Sequence, residues 1–218
     1  MKIAIDGPAG AGKSTIARRL AQELGFVYVD TGAMYRALTW KALQEGIPLN
    51  DSSALQELAH HTVIHFSSGF PEQKIFCDDT DVSAVIRSPR VSASVSILAS
   101  YSGVRQIMVG LQQDLARSCS VVMDGRDVGE CILPDAEFKF FLTASIEERV
   151  QRRVEDMKQR GYSCDRAEVK LELEERDKSD SQREMGALKI LPDSIVVDTS
   201  QLTPDQVLNR LLTVIQGG

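Results

Sequence analysis

Residues 7–14 read Gly7-Pro8-Ala9-Gly10-Ala11-Gly12-Lys13-Ser14, the pattern G-x-x-x-x-G-K-[ST], directly after the short apolar run Lys2-Ile3-Ala4-Ile5-Asp6. In that context the pattern describes a phosphate cradle. Glycines leave room for successive backbone N–H groups to converge on phosphate oxygens. The helix that must follow aims its positive N-terminus at the same point. Lys13 is spaced to reach the β- and γ-phosphates and Ser14 to hold Mg²⁺. Gly7, Pro8, Ala9, Gly10, Ala11, Gly12, Lys13 and Ser14, with Thr15 beside them, are therefore the candidate nucleoside-triphosphate site, and Lys13 is a candidate catalytic residue.

A second set of residues bears on the reaction. Arg36, Arg105, Arg126, Arg149, Arg153, Arg176 and Arg183 fall just beyond expected strand ends or in the helices after them. Two phosphate-bearing substrates brought head to head repel unless cations neutralise them, and the planar guanidinium grips phosphate in bidentate fashion. Phosphoryl transfer asks for this positioning and charge neutralisation rather than covalent chemistry. The glycine loop alone leaves a switch GTPase, an ATPase motor and a small-molecule kinase open. The chain has no N-K-x-D for reading guanine, and a switch needs no second phosphate site, so the arginines favour a kinase. Arg149 and Arg153 read equally well as helix-surface arginines paired with Glu147, Glu148 or Glu155. Asp124 ends an apolar strand, where it either holds Mg²⁺ through water or caps the following loop. No general base is required, because a phosphate monoester with a second pKa of about 6 is already anionic at neutral pH.

The elements that must position these residues alternate. Apolar runs at 2–6, 26–30, 120–124, 137–143 and 194–198 read as strands. Helical periodicity covers 14–24, the stretch closed by Gly46, 88–99, 104–116, 145–160, 165–178 and 203–215. Five such strands separated by helices imply a parallel sheet covered on both faces, with ligands gathered outside the strands' carboxyl ends. Residues 48–101 interrupt the rhythm with a helix from Asp51 and two strand-like pieces, 62–67 and 74–79, joined at Ser68-Gly69-Phe70-Pro71; this reads as an inserted lobe with a hairpin. The 218 residues suit one domain, with 43% hydrophobic and 26% charged residues typical of a globular chain. The net charge of −6 speaks against a nucleic-acid backbone as partner. No apolar run is long enough for a secretion signal or a membrane span, so a cytoplasmic protein is expected. Cys77, Cys119, Cys131 and Cys164 lack C-x-x-C spacing and read as reduced thiols, and His60, His61 and His65 as solvated rather than metal-binding.

Four motifs, in order, resemble those of bacterial cytidylate kinases: the glycine loop; Asp30-Thr31-Gly32-Ala33-Met34-Tyr35-Arg36; Asp124-Gly125-Arg126-Asp127-Val128-Gly129 with Pro134-Asp135-Ala136; and Glu175-Arg176-Asp177-x-x-Asp180-x-x-Arg183. The likeness runs from residue 1 to about 215. It implies an α/β P-loop NTPase fold, three layers around a central five-stranded parallel sheet, with an inserted monophosphate-binding lobe at about 48–101 and a short lid at about 148–184. It also implies a monomer that uses Mg²⁺ with ATP and phosphorylates CMP or dCMP. Carried over by position, Ser96, Arg105 and Asp127 read the cytosine, and Arg36, Arg126 and Arg183 hold the acceptor phosphate. Thr31, Arg176 and Asp180 address the sugar and its surroundings. Arg126, Asp127, Arg176 and Arg183 join Lys13 as candidate catalytic residues. The chain departs from the family's Gly-Thr-Val-Val-Phe-Pro at Gly129-Glu130-Cys131-Ile132-Leu133-Pro134, which puts an acid beside the arginine loop, and it carries the uncharged Ser179 and Gln182 in the lid run.

Overall fold

In a computed structural model, which describes residues 1–67 and 73–217, the apolar run before the glycine loop is strand β1 (Lys2–Asp6). It lies in the middle of a five-stranded sheet, flanked in parallel by β6 (Val121–Asp124) and β7 (Phe138–Thr143). The full order is β2-β6-β1-β7-β8, with β2 at Val27–Asp30 and β8 at Ile195–Asp198. β1 and β6 are buried along almost their whole length, as strands covered on both faces must be. The expected five-stranded α/β sheet with flanking helices is what forms.

The chain divides into two units, Met1–Tyr28 with Ala116–Gly218, and Val29–Leu115. In the first, helix α1 (Lys13–Leu24) turns Ile16, Ala17, Leu20 and Ala21 inward. Together with Val207, Leu208 and Leu211 of α8 (Pro204–Gly217), they bury Ile3, Ile5, Val122, Phe140, Leu142 and Val197 of the sheet. Gly25 ends α1 in the left-handed region, φ 66°, where its N–H closes onto the carbonyls of Ala21 and Gln22. A smaller core joins α6 (Ile146–Gln159) to α7 (Arg166–Ser181) through Val150, Val154, Val169 and Leu173, with Ala9 of the glycine loop against them. The caps are local and readable: Ser145 accepts from Glu148 N–H, and Asp165 from Ala167 and Glu168 N–H. After β6 the chain makes a single wide helical turn, Val128–Ile132, which periodicity did not announce.

The second unit holds α2 (Thr31–Gln44), α3 (Ser52–His60), α4 (Pro89–Leu98) and α5 (Ser102–Leu115), together with a small antiparallel sheet. That sheet orders β3 (Ile64–Phe66), β4 (Ile75–Cys77) and β5 (Thr80–Asp81). The expected hairpin thus gains a third strand. Asp78 adopts φ 52°, a conformation Asp tolerates better than most residues, and is held by Lys41 Nζ at 2.8 Å. The turn expected at Ser68-Gly69-Phe70-Pro71 lies outside the described residues. The unit is wider than the 48–101 stretch read from the broken rhythm, because α2 and α5 pack within it.

All four cysteines are free, and burial pushes the Cys77 thiol up to about 11. His60, His61 and His65 are exposed. His61 meets Glu57 at 2.7 Å and His65 stacks on Phe76. Among the described residues no cluster of His, Cys, Asp or Glu is placed to hold a metal, and no helix is long and apolar enough to cross a membrane.

Candidate active site

The glycine loop is built around backbone that only glycine can supply. Gly7 has φ 146°, and a Cβ there would lie 2.0 Å from the Leu142 carbonyl oxygen. Lys13, buried at the start of α1, donates from Nζ to the Pro8 carbonyl at 2.8 Å. Burial and then the Arg126 charge pull its pKa well below the usual lysine value, with Asp124 opposing. The Ser14 hydroxyl donates to Asp124 Oδ2 and the Tyr28 hydroxyl to Asp124 Oδ1, both at 2.8 Å. Asp124 therefore ends β6 against the Ser14 hydroxyl, and the two present adjacent oxygen donors of the kind Mg²⁺ prefers. Thr15 is exposed on the next position of α1.

Beyond Lys13 the first unit gathers arginines around one carboxylate. Asp180 of α7, 1% exposed, accepts from Arg126 Nε at 2.7 Å through one oxygen and from Arg183 Nη2 through the other. Burial alone would raise its pKa, but Arg126, Arg183 and Arg176 outweigh that and hold it below the usual carboxylate range. Arg126 shows the reciprocal effect: burial acts to lower its pKa, and Asp180 more than restores it. The Arg176 charge is felt at both Lys13 and Asp180. Lys13, Arg126, Arg176, Arg183 and Asp180 thus share one electrostatic neighbourhood, in which Asp124 acts on both Lys13 and Arg126 and Asp177 also acts on Arg126.

Several side chains outside the motifs complete this unit. Arg149 donates to the carbonyls of Ala9 (3.1 Å) and Ala144 (3.2 Å) and pairs with Asp177 at 2.5 Å, so it braces the glycine loop. Arg153 pairs instead with Asp156 and Glu172. Asp6, the last residue of β1, accepts from the backbone N–H groups of Val128 and Gly129, each at 2.8 Å. Burial raises Asp6 from 3.8 to about 6; those two bonds and Lys13 pull it down, and the neighbouring Asp127 pushes it up. Lys139 stands nearby, its side chain against Gly129. Glu130, the departure from the family pattern, is paired with Lys189 at 2.6 Å.

In the second unit, Asp30 caps α2 by accepting from Ala33 N–H at 2.7 Å and also holds Arg36 Nη2 at 3.0 Å. Arg87, which sequence reasoning passed over, reaches the same carboxylate at 3.4 Å. A Cβ on Gly32 would stand 3.2 Å from Arg36 Nη1, so the motif's glycine makes room for the guanidinium. Thr31 is buried at the start of α2, and Ser96 is half-buried on α4. Arg105 of α5 is 1% exposed, with Nη1 donating to the Ala99 carbonyl at 3.2 Å and its guanidinium 5.4 Å from the Tyr35 ring centroid. The unit therefore presents Thr31, Arg36, Ser96 and Arg105 on three helices.

The family model for cytidylate kinase matches residues 3–217. This chain belongs to that family. Among curated relatives, it is 49% identical to the cytidylate kinase of Desulforamulus reducens over 216 residues, 99% of this chain and 97% of the relative. It is 47% identical to that of Caldanaerobacter subterraneus subsp. tengcongensis, covering 99% and 95%. A shikimate kinase structure from Acinetobacter baumannii in complex with shikimate superposes with a TM-score of 0.50 at 14% identity, over 99% of this chain and 93% of that one. An uncharacterized protein from Eubacterium ventriosum does so with a TM-score of 0.54 at 13% identity, over 100% and 99%. These two likenesses bear on the fold alone.

Proposed function

We infer that this protein transfers the γ-phosphate of ATP to CMP or dCMP, giving ADP and CDP or dCDP. The observation that carries the reading is family membership over residues 3–217 in a chain whose Lys13 feels half-buried arginines gathered around the buried Asp180. In the first unit, Gly7–Ser14 with Thr15 cradle the triphosphate, and Lys13 stabilises charge on the transferring oxygens. An acceptor phosphate oxygen attacks the γ-phosphorus in line, and the bond to the β–γ bridging oxygen breaks as ADP leaves. The acceptor is already anionic, so no proton has to be removed first. Arg126 and Arg183 hold the acceptor phosphate, Arg176 and Asp180 act at the sugar and in orienting those arginines, and Asp127 reads the base. In the second unit, which we assign as the monophosphate-binding lobe, Arg36 holds phosphate, Thr31 the sugar, and Ser96 and Arg105 the cytosine. An Asp and an Arg together suit cytosine, which offers an amine donor beside ring acceptors. Residues 148–184 are assigned as a lid that excludes water, a competing acceptor.

Ser14 and Asp124 would hold Mg²⁺, the Asp through water; the ion neutralises phosphate charge. We propose a monomer in the cytoplasm, a reducing compartment that suits four free thiols. The test is direct: ³¹P NMR of ATP, Mg²⁺ and CMP with the protein should show the CDP resonances growing as ADP forms. ADP accompanied by free phosphate and no CDP would overturn the reading.

A further inference from the structure

We propose that Asp6 is a positioning residue for the acceptor, holding the turn that carries Arg126 and Asp127. Asp6 is the residue before Gly7, so it is rigidly joined to the glycine loop. Its two carboxylate oxygens are each taken by one of two consecutive amides, Val128 N–H and Gly129 N–H, 122 and 123 residues away. Bonds from amides to a buried ionised carboxylate are among the stronger kind. They fix the backbone directly after Asp127, and so the direction in which Asp127 and Arg126 leave it. Gly129 fits because its Cβ would come within 3.4 Å of Asp6 Oδ2 and nearer still to Lys139 and Leu191. The β-strand end, the donor loop and the acceptor-reading turn are thereby one rigid piece. Of the side chains of this size, only a carboxylate offers an acceptor oxygen to each of the two buried amides, which points to a role in placing the turn.

This inference rests on the reading of Asp127 and Arg126 as acceptor residues, so its test carries one arm that does not depend on turnover. Asp6→Asn keeps the shape but offers only one acceptor oxygen, which leaves one of the two amides facing an NH₂ group. Amide hydrogen exchange over residues 125–133 should speed up in the variant by more than its change in thermal stability accounts for. In kinetics, KM for CMP should rise on the order of tenfold, as expected for one lost bond to a charged group. KM for ATP should stay within about twofold, and the preference for CMP over UMP should fall. Leu211→Ala, in the core under α8, serves as the purely structural control: it should lower Tm and leave that preference alone. Exchange at the wild-type rate overturns the proposal, and so does a folded Asp6→Asn with wild-type CMP KM and base preference. If the unmodified protein fails to phosphorylate CMP, the functional reading falls, and the exchange measurement alone decides the role of Asp6.

Discussion

Replacing Asp180 by Asn perturbs the arginine cluster at its hub. Both oxygens of Asp180 are committed, one to Arg126 at 2.7 Å and the other to Arg183, and the side chain is 1% exposed. Asparagine keeps the volume but removes the charge, and it can accept with only one of its two terminal atoms. Arg126 and Arg183 then confront each other and Arg176 with no carboxylate among them. Removing one partner of a buried ion pair costs about 3–5 kcal/mol; the retained acceptor puts this variant at the low end. In a chain of this length about 3 kcal/mol corresponds to roughly 6–12 °C in Tm. The sign with pH follows from the held-down Asp180 pKa. Its stabilisation is complete above the usual value of 3.8 and is lost as pH falls through the lower folded value. The gap between wild type and variant should therefore be full at pH 7 and close on strong acidification. Urea titrations at neutral and acidic pH measure both, and KM for CMP should rise in parallel under the proposal that the same arginines hold the acceptor phosphate. Equal stability at pH 7 with unchanged acceptor KM would refute the reasoning that Asp180 organises the cluster.

Four further perturbations act on other parts of the molecule. Lys13→Ala should fold and lose on the order of 10²–10³ in kcat, since it removes the buried cation that we propose stabilises the transferring phosphoryl group; near-wild-type turnover in the folded variant contradicts that role. Gly7→Ala should cost about 3 kcal/mol and abolish ATP binding measured by calorimetry, because its Cβ would meet the Leu142 carbonyl oxygen at 2.0 Å. Gly25→Ala, at φ 66° but with nothing within 4 Å, should cost only about 1 kcal/mol and bind ATP as before. For Asp6, the folded pKa of about 6 against 3.8 means that the folded state binds the proton more tightly. Stability should accordingly fall by about 3 kcal/mol as pH rises from 4 to 6. Asp6→Asn should erase that slope in urea titrations, and an identical slope in both proteins would contradict the assignment.

What could be read along the chain was what local geometry specifies. The glycine loop declares itself because phosphate-cradling backbone needs glycines at set offsets before a helix. Asp51 caps α3 through the N–H three residues ahead, so that start was legible too. Alternation of strand and helix was enough for the parallel sheet. The remaining features depend on partners far away in sequence. Nothing near Asp6 announces Val128 and Gly129, and nothing near Arg149 announces Ala9, 140 residues earlier. Arg149 reads equally well as a phosphate-gripping residue or as a helix-surface residue beside Glu147 and Glu148, yet its partner is Asp177, presented by a different helix. The third strand of the small sheet turns on Asp78 in a left-handed conformation, which its neighbours in sequence do not demand. Arg87, beside Asp30, follows no motif at all.

The central claim is tested most directly by initial rates of ADP release from ATP and Mg²⁺ with CMP, dCMP, UMP, AMP and shikimate as separate acceptors. Turnover should be rapid with CMP and dCMP, weaker with UMP, and slight with AMP or shikimate. Equal rates across the five, or preferred turnover of shikimate or AMP, would contradict it.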